Sequence, residues 1–364
     1  MKWRGSADML GLVLAICLLM VNSVHAQSTT TAQIPQVELK PGEKTAVANQ
    51  PSSGGIDPIR CDSRGNIYMR PVSAKSAALA APILRISADA QNTTFFDVSS
   101  VPEIKESPGF EIYDFAITKT GKILAVAGIA TKGGNPFAAV IQVDGDDKSA
   151  SLIRIDSNFS PRQIAPMPSG MFLLSGVQHS TKFAGPAFKQ TGAPFTAIFD
   201  SRGKLVKEIQ LPGDIKIEEI DASKVEKPDI TALQAVDLSR FVVADDGTIY
   251  MLRSGPMPKV YVISSAGEVI RSFPVATPPG DVTLSSIFFA AGRLAFDFYL
   301  PASKDDSRVK LLIRIVDSET GRILWDYVPT KEIYGIPACY SGQDFTLLAG
   351  TQDHRLALWK VSPQ

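Results

Sequence analysis

Six side chains stand at one repeated offset, seven or eight positions before a glycine that closes a short polar turn. They are Asp57, Asp114, Arg162, Arg240, Ser285 and Tyr334, ahead of Gly65, Gly121, Gly170, Gly247, Gly292 and Gly342. Two carboxylates, two guanidinium groups and two hydroxyls at one rim would make a mixed-charge ring, suited to a polar or anionic small molecule or to a peptide. The same groups could equally do no more than hydrate a channel or bond strand ends. Asp57 and Asp114, with His179 in GVQHSTKFAG, are the candidates for general acid and base chemistry. Signatures of a particular reaction are missing, with no G-x-S-x-G elbow, no H-E-x-x-H and no phosphate-cradling glycine loop. Cys61 and Cys339 form a second reactive pair, four and three residues before Gly65 and Gly342.

The glycines punctuate a recurring local pattern of apolar strand, polar turn and second apolar or aromatic strand. IRCDSRGNIYMR (59–70), FAITKTGKILAVA (115–127), FVVADDGTIYMLR (241–253) and IFFAAGRLAFDFY (287–299) are examples. A second hairpin lies between successive copies, as in TAIFDSRGKLVKEIQL (196–211). Two-residue hairpin loops need positive φ, which explains the glycines. Only 221–238 reads as helical, and Pro228 interrupts it. Four-stranded units whose glycines recur every 45 to 77 residues have the period of propeller blades. The expected fold is therefore all-β, a six-bladed β-propeller over 55–364. The 77 residues from Gly170 to Gly247 leave room for a degenerate seventh unit. The last copy ends in one strand, HRLALWKV (354–361), short of an outer partner. Strand-like alternation over 34–47, inside the N-terminal segment 27–54, is expected to complete that blade and close the ring. The alternative is a disordered spacer.

Blade topology would put every long connection on one face: 70–82, 98–111, 128–137, 176–195, 211–240, 274–285, 298–309 and 328–336. Long loops on a rigid scaffold are where binding concentrates. Composition narrows the partners. With 45% hydrophobic residues among 364 the chain can build a core, so wholesale disorder is excluded. Lys+Arg and Asp+Glu each total 37, which argues against nucleic acid held by phosphate contacts. Three Cys and three His exclude a disulfide-dense mini-scaffold and a Cys/His zinc module. Lys2 and Arg4, a 13-residue apolar run at 9–21 and Val24-His25-Ala26 make residues 1–26 a cleavable signal peptide. The expected address is secreted or periplasmic. The run is shorter than the roughly 20 residues of a membrane span, so no stable span is expected after cleavage. An uncleaved anchor is the alternative. In an oxidising compartment Cys61 and Cys339, on neighbouring first and last blades, could staple the seam for on the order of 4 kcal/mol. Two reduced, buried cysteines are the other reading.

DSRGNIYMR (62–70) and ADDGTIYMLR (244–253), followed by strand–Gly–strand pairs such as VYVISSAGEVIRSF (260–273), resemble NHL-type repeats of six-bladed propellers, within the wider NHL-like and TolB-like superfamily. The resemblance covers most of 55–361. Arg70 and Arg253 depart from it, standing where that repeat often carries Asp. VDSETGRILWDY (316–327) resembles the tryptophan-docked repeat of quinone-binding propellers, in a single copy, so Trp325 is read as a packed hydrophobe. The resemblance implies a binding scaffold or an enzyme. Lactonase-like propellers hold a divalent metal in the channel. Asp57 and Asp114 could offer oxygens, but Arg162 and Arg240 on the same ring would repel a cation, so neither metal nor cofactor is expected. The reading is an exported, non-enzymatic binding module for a small polar ligand, a peptide or a protein partner. A channel-mouth hydrolase or lyase is the alternative.

Overall fold

The computed structural model describes residues 34–51, 56–71, 82–145, 149–156, 159–179, 192–214, 236, 240–254, 257–280, 282–300, 310–353 and 355–364. The signal-like segment lies outside them, as does the helix-prone stretch apart from Val236. The described residues are overwhelmingly strand.

Four sheets of four antiparallel strands follow one another along the chain. The first holds β2 (Ile56–Cys61), β3 (Ile67–Pro71), β4 (Ile83–Ile86) and β5 (Thr93–Phe96). The second holds β6 (Phe110–Ile117), β7 (Ile123–Ile129), β8 (Phe137–Val143) and β9 (Ala150–Arg154). Next come β10 (Phe159–Pro166), β11 (Phe172–His179), β12 (Gly192–Phe199) and β13 (Leu205–Glu208). The fourth holds β14 (Arg240–Val243), β15 (Ile249–Arg253), β16 (Lys259–Ile263) and β17 (Val269–Pro274).

The remaining strands form one eight-stranded sheet. Its members are β18 (Thr283–Ala290), β19 (Arg293–Leu300), β20 (Lys310–Asp317) and β21 (Ile323–Pro329). They are joined by β1 (Gln36–Pro51), β24 (Arg355–Pro363), β23 (Phe345–Gly350) and β22 (Ile336–Tyr340), in that spatial order. The chain's first strand thus lies between β21 and β24. It runs antiparallel to β24, with Leu39 opposite Pro363 and Ala46 opposite Ala357. Its leading residues, Gln36 to Leu39, run parallel to Asp326–Pro329 of β21. The expected N-terminal partner for the last strand is therefore present, but six separate sheets are not. Length is the cause: β1 has 16 residues against nine in β24, and the overhang reaches the neighbouring strand.

The arrangement is propeller-like. The strands β2, β6, β10, β14, β18 and β22 touch in that cyclic order, and β22 returns to β2. The core is spread over the faces between successive sheets. Phe96, Ile112, Phe115 and Ile141 pack the first sheet on the second. Phe159, Phe172, Phe195 and Phe199 meet Leu124 and Val126 at the next face. Val47, Leu348 and Leu358 meet Ile67, Met69 and Leu84, which brings the circle back to its start. Each fully buried side chain of this kind contributes about 1.5–3 kcal/mol, so cohesion is distributed around the ring.

The six turn glycines all have positive φ, from 71° at Gly292 to 100° at Gly342. The expected two-residue turn occurs at Ala291–Gly292, where both φ values are positive (50° and 71°). At Gly65, Gly121 and Gly247 the loop is longer, and the glycine N–H donates to the carbonyl three residues earlier, on Asp62, Thr118 and Ala244. Asp62 drives the longer form by accepting Arg64 N–H and Asn66 N–H on one carboxylate oxygen, at 2.9 Å each. Gly203 shows a second demand. A Cβ there would lie 2.1 Å from the Arg154 carbonyl oxygen of the preceding sheet.

Candidate binding site

The first strand of each four-stranded group has one edge paired and the other facing the axis. That free edge presents backbone N–H and C=O groups which need partners. Charged side chains from neighbouring strands supply them. Arg60 on β2 donates from Nε to Phe115 O (3.1 Å) and from Nη1 to Ile59 O (3.1 Å). Its Nη2 meets Asp114 Oδ1 at 2.6 Å. The other Asp114 oxygen accepts Ile164 N–H at 3.1 Å. One carboxylate therefore ties β2, β6 and β10 together.

β-Bulges recur along these inner strands, at Ile56/Ile59, Ile112/Asp114, Pro161/Gln163, Leu284/Ser286 and Pro337/Cys339. A bulge aims two consecutive side chains away from strict alternation. That re-aiming accompanies Asp114, whose side chain is 4% exposed. Burial pushes the Asp114 carboxyl above its usual range, opposed by the nearby Arg60 and Arg240 charges. Asp297 on β19 is wholly buried and accepts Ser286 N–H, with the Tyr299 hydroxyl beside its carboxylate. Burial raises its carboxyl to about 6, against the lowering effects of the Ser286 bond and of Arg240.

Beside this charge cluster lies a cavity of about 460 Å³. Residues of β2, β6, β10, β14, β18 and β22 all line it. Arg60 and Arg240 are its cationic groups. Asp62, Ser63, Asp245, Ala291 and Ser341 bring it to the hairpin-turn end of the inner strands. Tyr340 also faces it. Its hydroxyl donates to Gly342 O at 2.9 Å, and burial pushes its phenol up to about 12.

The six side chains singled out by offset are distributed as follows. Arg240 lines the cavity. Asp114 sits behind the wall in its ion pair with Arg60. Arg162 lies over the Tyr113 ring, 4.5 Å from the centroid. Ser285 falls at the β18 bulge and is half-buried. Tyr334 is 52% exposed near the strand-entry end of β22. Its hydroxyl donates to Gly350 O (3.0 Å) and receives Lys44 Nζ (2.6 Å), while its ring stands edge-on to Trp359. Asp57 belongs to β2 and His179 to β11, but their side chains lie outside the described residues. The structure therefore brings Arg240 and Asp114 into one cluster and holds Tyr334 in another.

Arg60 and Asp297 were not marked by offset from the glycines. Asp297 had one sequence signal: in RLAFDFYL an acid stands between two phenylalanines of a strand buried on both faces. Such a residue must find a donor nearby. Cys61 also lines the cavity, and its Cα lies 5.4 Å from that of Cys339 with the sulfurs at disulfide distance. Among the described residues no group of three His, Cys, Asp or Glu is placed to hold a metal ion. No helix among them is long and apolar enough to cross a membrane.

No family model matches this chain, and no curated relative is found. A solved protein of unknown function from Bacteroides caccae is similar at 13% identity, over 78% of this chain and 85% of its own, with a TM-score of 0.44. The class is thus set by the chain's own sheets: an all-β, propeller-like protein with a central cavity.

Proposed function

We propose that this chain is an exported, non-enzymatic binding module whose central cavity takes a small polar ligand. The observation that carries the reading is the 460 Å³ cavity walled by strand edges that converge from around the whole ring. Such walls offer backbone donors and acceptors alongside Arg60 and Arg240, a set that rewards a ligand carrying both kinds of group.

The ring is read as six-bladed and NHL-like. The eight-stranded sheet divides into β18–β21 and β22–β24 with β1, which is two groups of four bridged by the overhang of β1. The cyclic contact of the inner strands supports that count. Export is supported by the basic, apolar and small-residue sequence of 1–26. A Cys61–Cys339 bridge, favoured by the 5.4 Å Cα separation, fits an oxidising compartment. Thiol titration of the unfolded, unreduced mature protein checks it: no free thiol is expected, and two would remove the bridge. Asp57, Arg162, Ser285 and Tyr334 remain proposed contributors at the opposite mouth, while Asp114 serves the cavity by holding Arg60.

The cavity is tested with neutral polar probes, glucose and uridine, and with small molecules released on denaturing protein purified from its native source. A stoichiometric released compound, or saturable stabilisation by a probe, is expected for the wild type and lost in Ser63→Trp, which fills the rim. Absence of both from the wild type overturns the reading.

A further inference from the structure

The central cavity has its cations in the wall and their matching acids behind it. Arg60 and Arg240 line it, whereas the buried Asp114 and Asp297 do not. Both acids still reach the wall through its backbone. Asp114 accepts Ile164 N–H and Asp297 accepts Ser286 N–H, and Ile164 and Ser286 are lining residues. The Arg240 charge acts on both acids. With both ionised, the two guanidinium groups and two carboxylates sum to zero.

The two acids are held differently. Asp114 has the Arg60 guanidinium against it at 2.6 Å, a charge-assisted contact that favours the ionised form. Asp297 has no arginine squared against it among the described residues. Around it stand the Ser286 N–H of β18, the Tyr299 hydroxyl on its own strand and the Arg240 charge from β14. Its register partner on β20 is the apolar Ile313. Burial raises the Asp297 carboxyl to about 6, over the opposing pulls of those groups. Once Asp297 is protonated the four groups carry one net positive charge, and both guanidinium groups of the set line the cavity.

Resting on the reading of this cavity as a ligand site, we infer that it takes up a small polar monoanion together with a proton on Asp297. One net charge is matched by one anionic group, and the surrounding strand edges suit a hydroxylated remainder. The acids at the turn end do not fill that place. Asp62 spends its carboxylate on Arg64 N–H, Asn66 N–H, Asn66 Nδ2 and the Tyr68 hydroxyl. Asp245 lies exposed at the rim, where Lys119 Nζ donates to its carbonyl. An anion in the cavity makes Asp297 harder to ionise, and by reciprocity a lower pH tightens the anion.

The test titrates the mature full-length chain with D-glucuronate and its neutral twin D-glucose, by calorimetry from pH 5 to pH 8, against matched sodium chloride. Glucuronate should bind at least about tenfold more tightly at pH 5 than at pH 8, with glucose unaffected by pH. Near pH 7 each bound anion should draw in a proton, read from how the binding heat changes with the buffer's ionisation heat. Asp297→Asn imitates the protonated acid, so it should bind glucuronate at the low-pH strength throughout and take up no proton. It also separates Asp297 from the histidines, which titrate in the same range. Should Asp297→Asn fail to fold, carbon-13 resonance of the wild-type carboxyls decides. One aspartate should titrate near pH 6 and move upward with glucuronate. A monoanion released from the purified protein replaces glucuronate in these titrations. A pH-independent affinity, no proton uptake, or a neutral compound bound as tightly at pH 5 overturns the inference and leaves the cavity reading intact. A wild type that binds no probe and releases nothing overturns both.

Discussion

Arg314–Asp326 and Arg253–Asp214 are both buried Arg–Asp pairs, each with exposures of 10% or less on its charged side chains. In the first, the partners face each other across β20 and β21, register Arg314 opposite Asp326, so strand pairing delivers the carboxylate square to the guanidinium. Every guanidinium nitrogen is used. In the second, Asp214 comes from the segment after β13 and meets Arg253 by one corner. Ladder geometry saturates a buried charge, whereas an approach from a connection leaves part of its bonding capacity over. Asp297 extends the series, since it is a buried acid held by a backbone N–H and with no arginine squared against it.

The series makes graded predictions. Asp326→Ala should cost the most, about 3–5 kcal/mol, because Arg314 would be left charged and unpaired in the interior. Urea unfolding measures it, and a cost under 1 kcal/mol would break the comparison at its strong end. Asp297→Asn comes next and shows itself through pH. With its carboxyl raised to about 6 in the folded chain against about 3.9 unfolded, Asp297 lends stability below pH 4 that is lost as pH rises through 6. Two pK units correspond to about 3 kcal/mol. The variant should therefore gain about that much on the wild type between pH 4 and pH 7, read from melts across that range. A pH-independent difference would contradict it. Asp214→Asn should cost least, about 1 kcal/mol at pH 7, since one charged contact becomes a neutral one. Burial raises the Asp214 carboxyl, so the wild type should improve relative to this variant as pH falls. A loss as large as that of Asp326→Ala would erase the distinction between the pairs.

Much of the architecture could be read from the chain because it is written locally. Period-two apolar alternation and the glycines at 65, 121, 170, 247, 292 and 342 define hairpins within a dozen residues, and all six glycines take the positive φ that the turns require. The partner of the last strand was legible too, from an unfilled place. The parallel pairing of Gln36–Leu39 with β21 was not, because it depends on how far a long strand overhangs its neighbour. The cavity was harder to read. Counting back a fixed number from each glycine presumes an unbroken pleat, and the bulges before Asp114, Ser286 and Cys339 shift which side chains face inward. Arg60 and Asp297 matter through contacts made across different strands and sheets, and their spacing along the chain carries no trace of those contacts.

The placement of β1 also orders events in time. Leu39 leaves the ribosome more than three hundred residues before its partner Pro363. The edge of β1 that takes β24 must stay open until Arg355–Pro363 has been made, so the circle can be completed only after β24 emerges. Closing so long a loop makes this a late and slow step. Loss of the last ten residues would leave β1 without its antiparallel neighbour and open an edge to pairing with other chains.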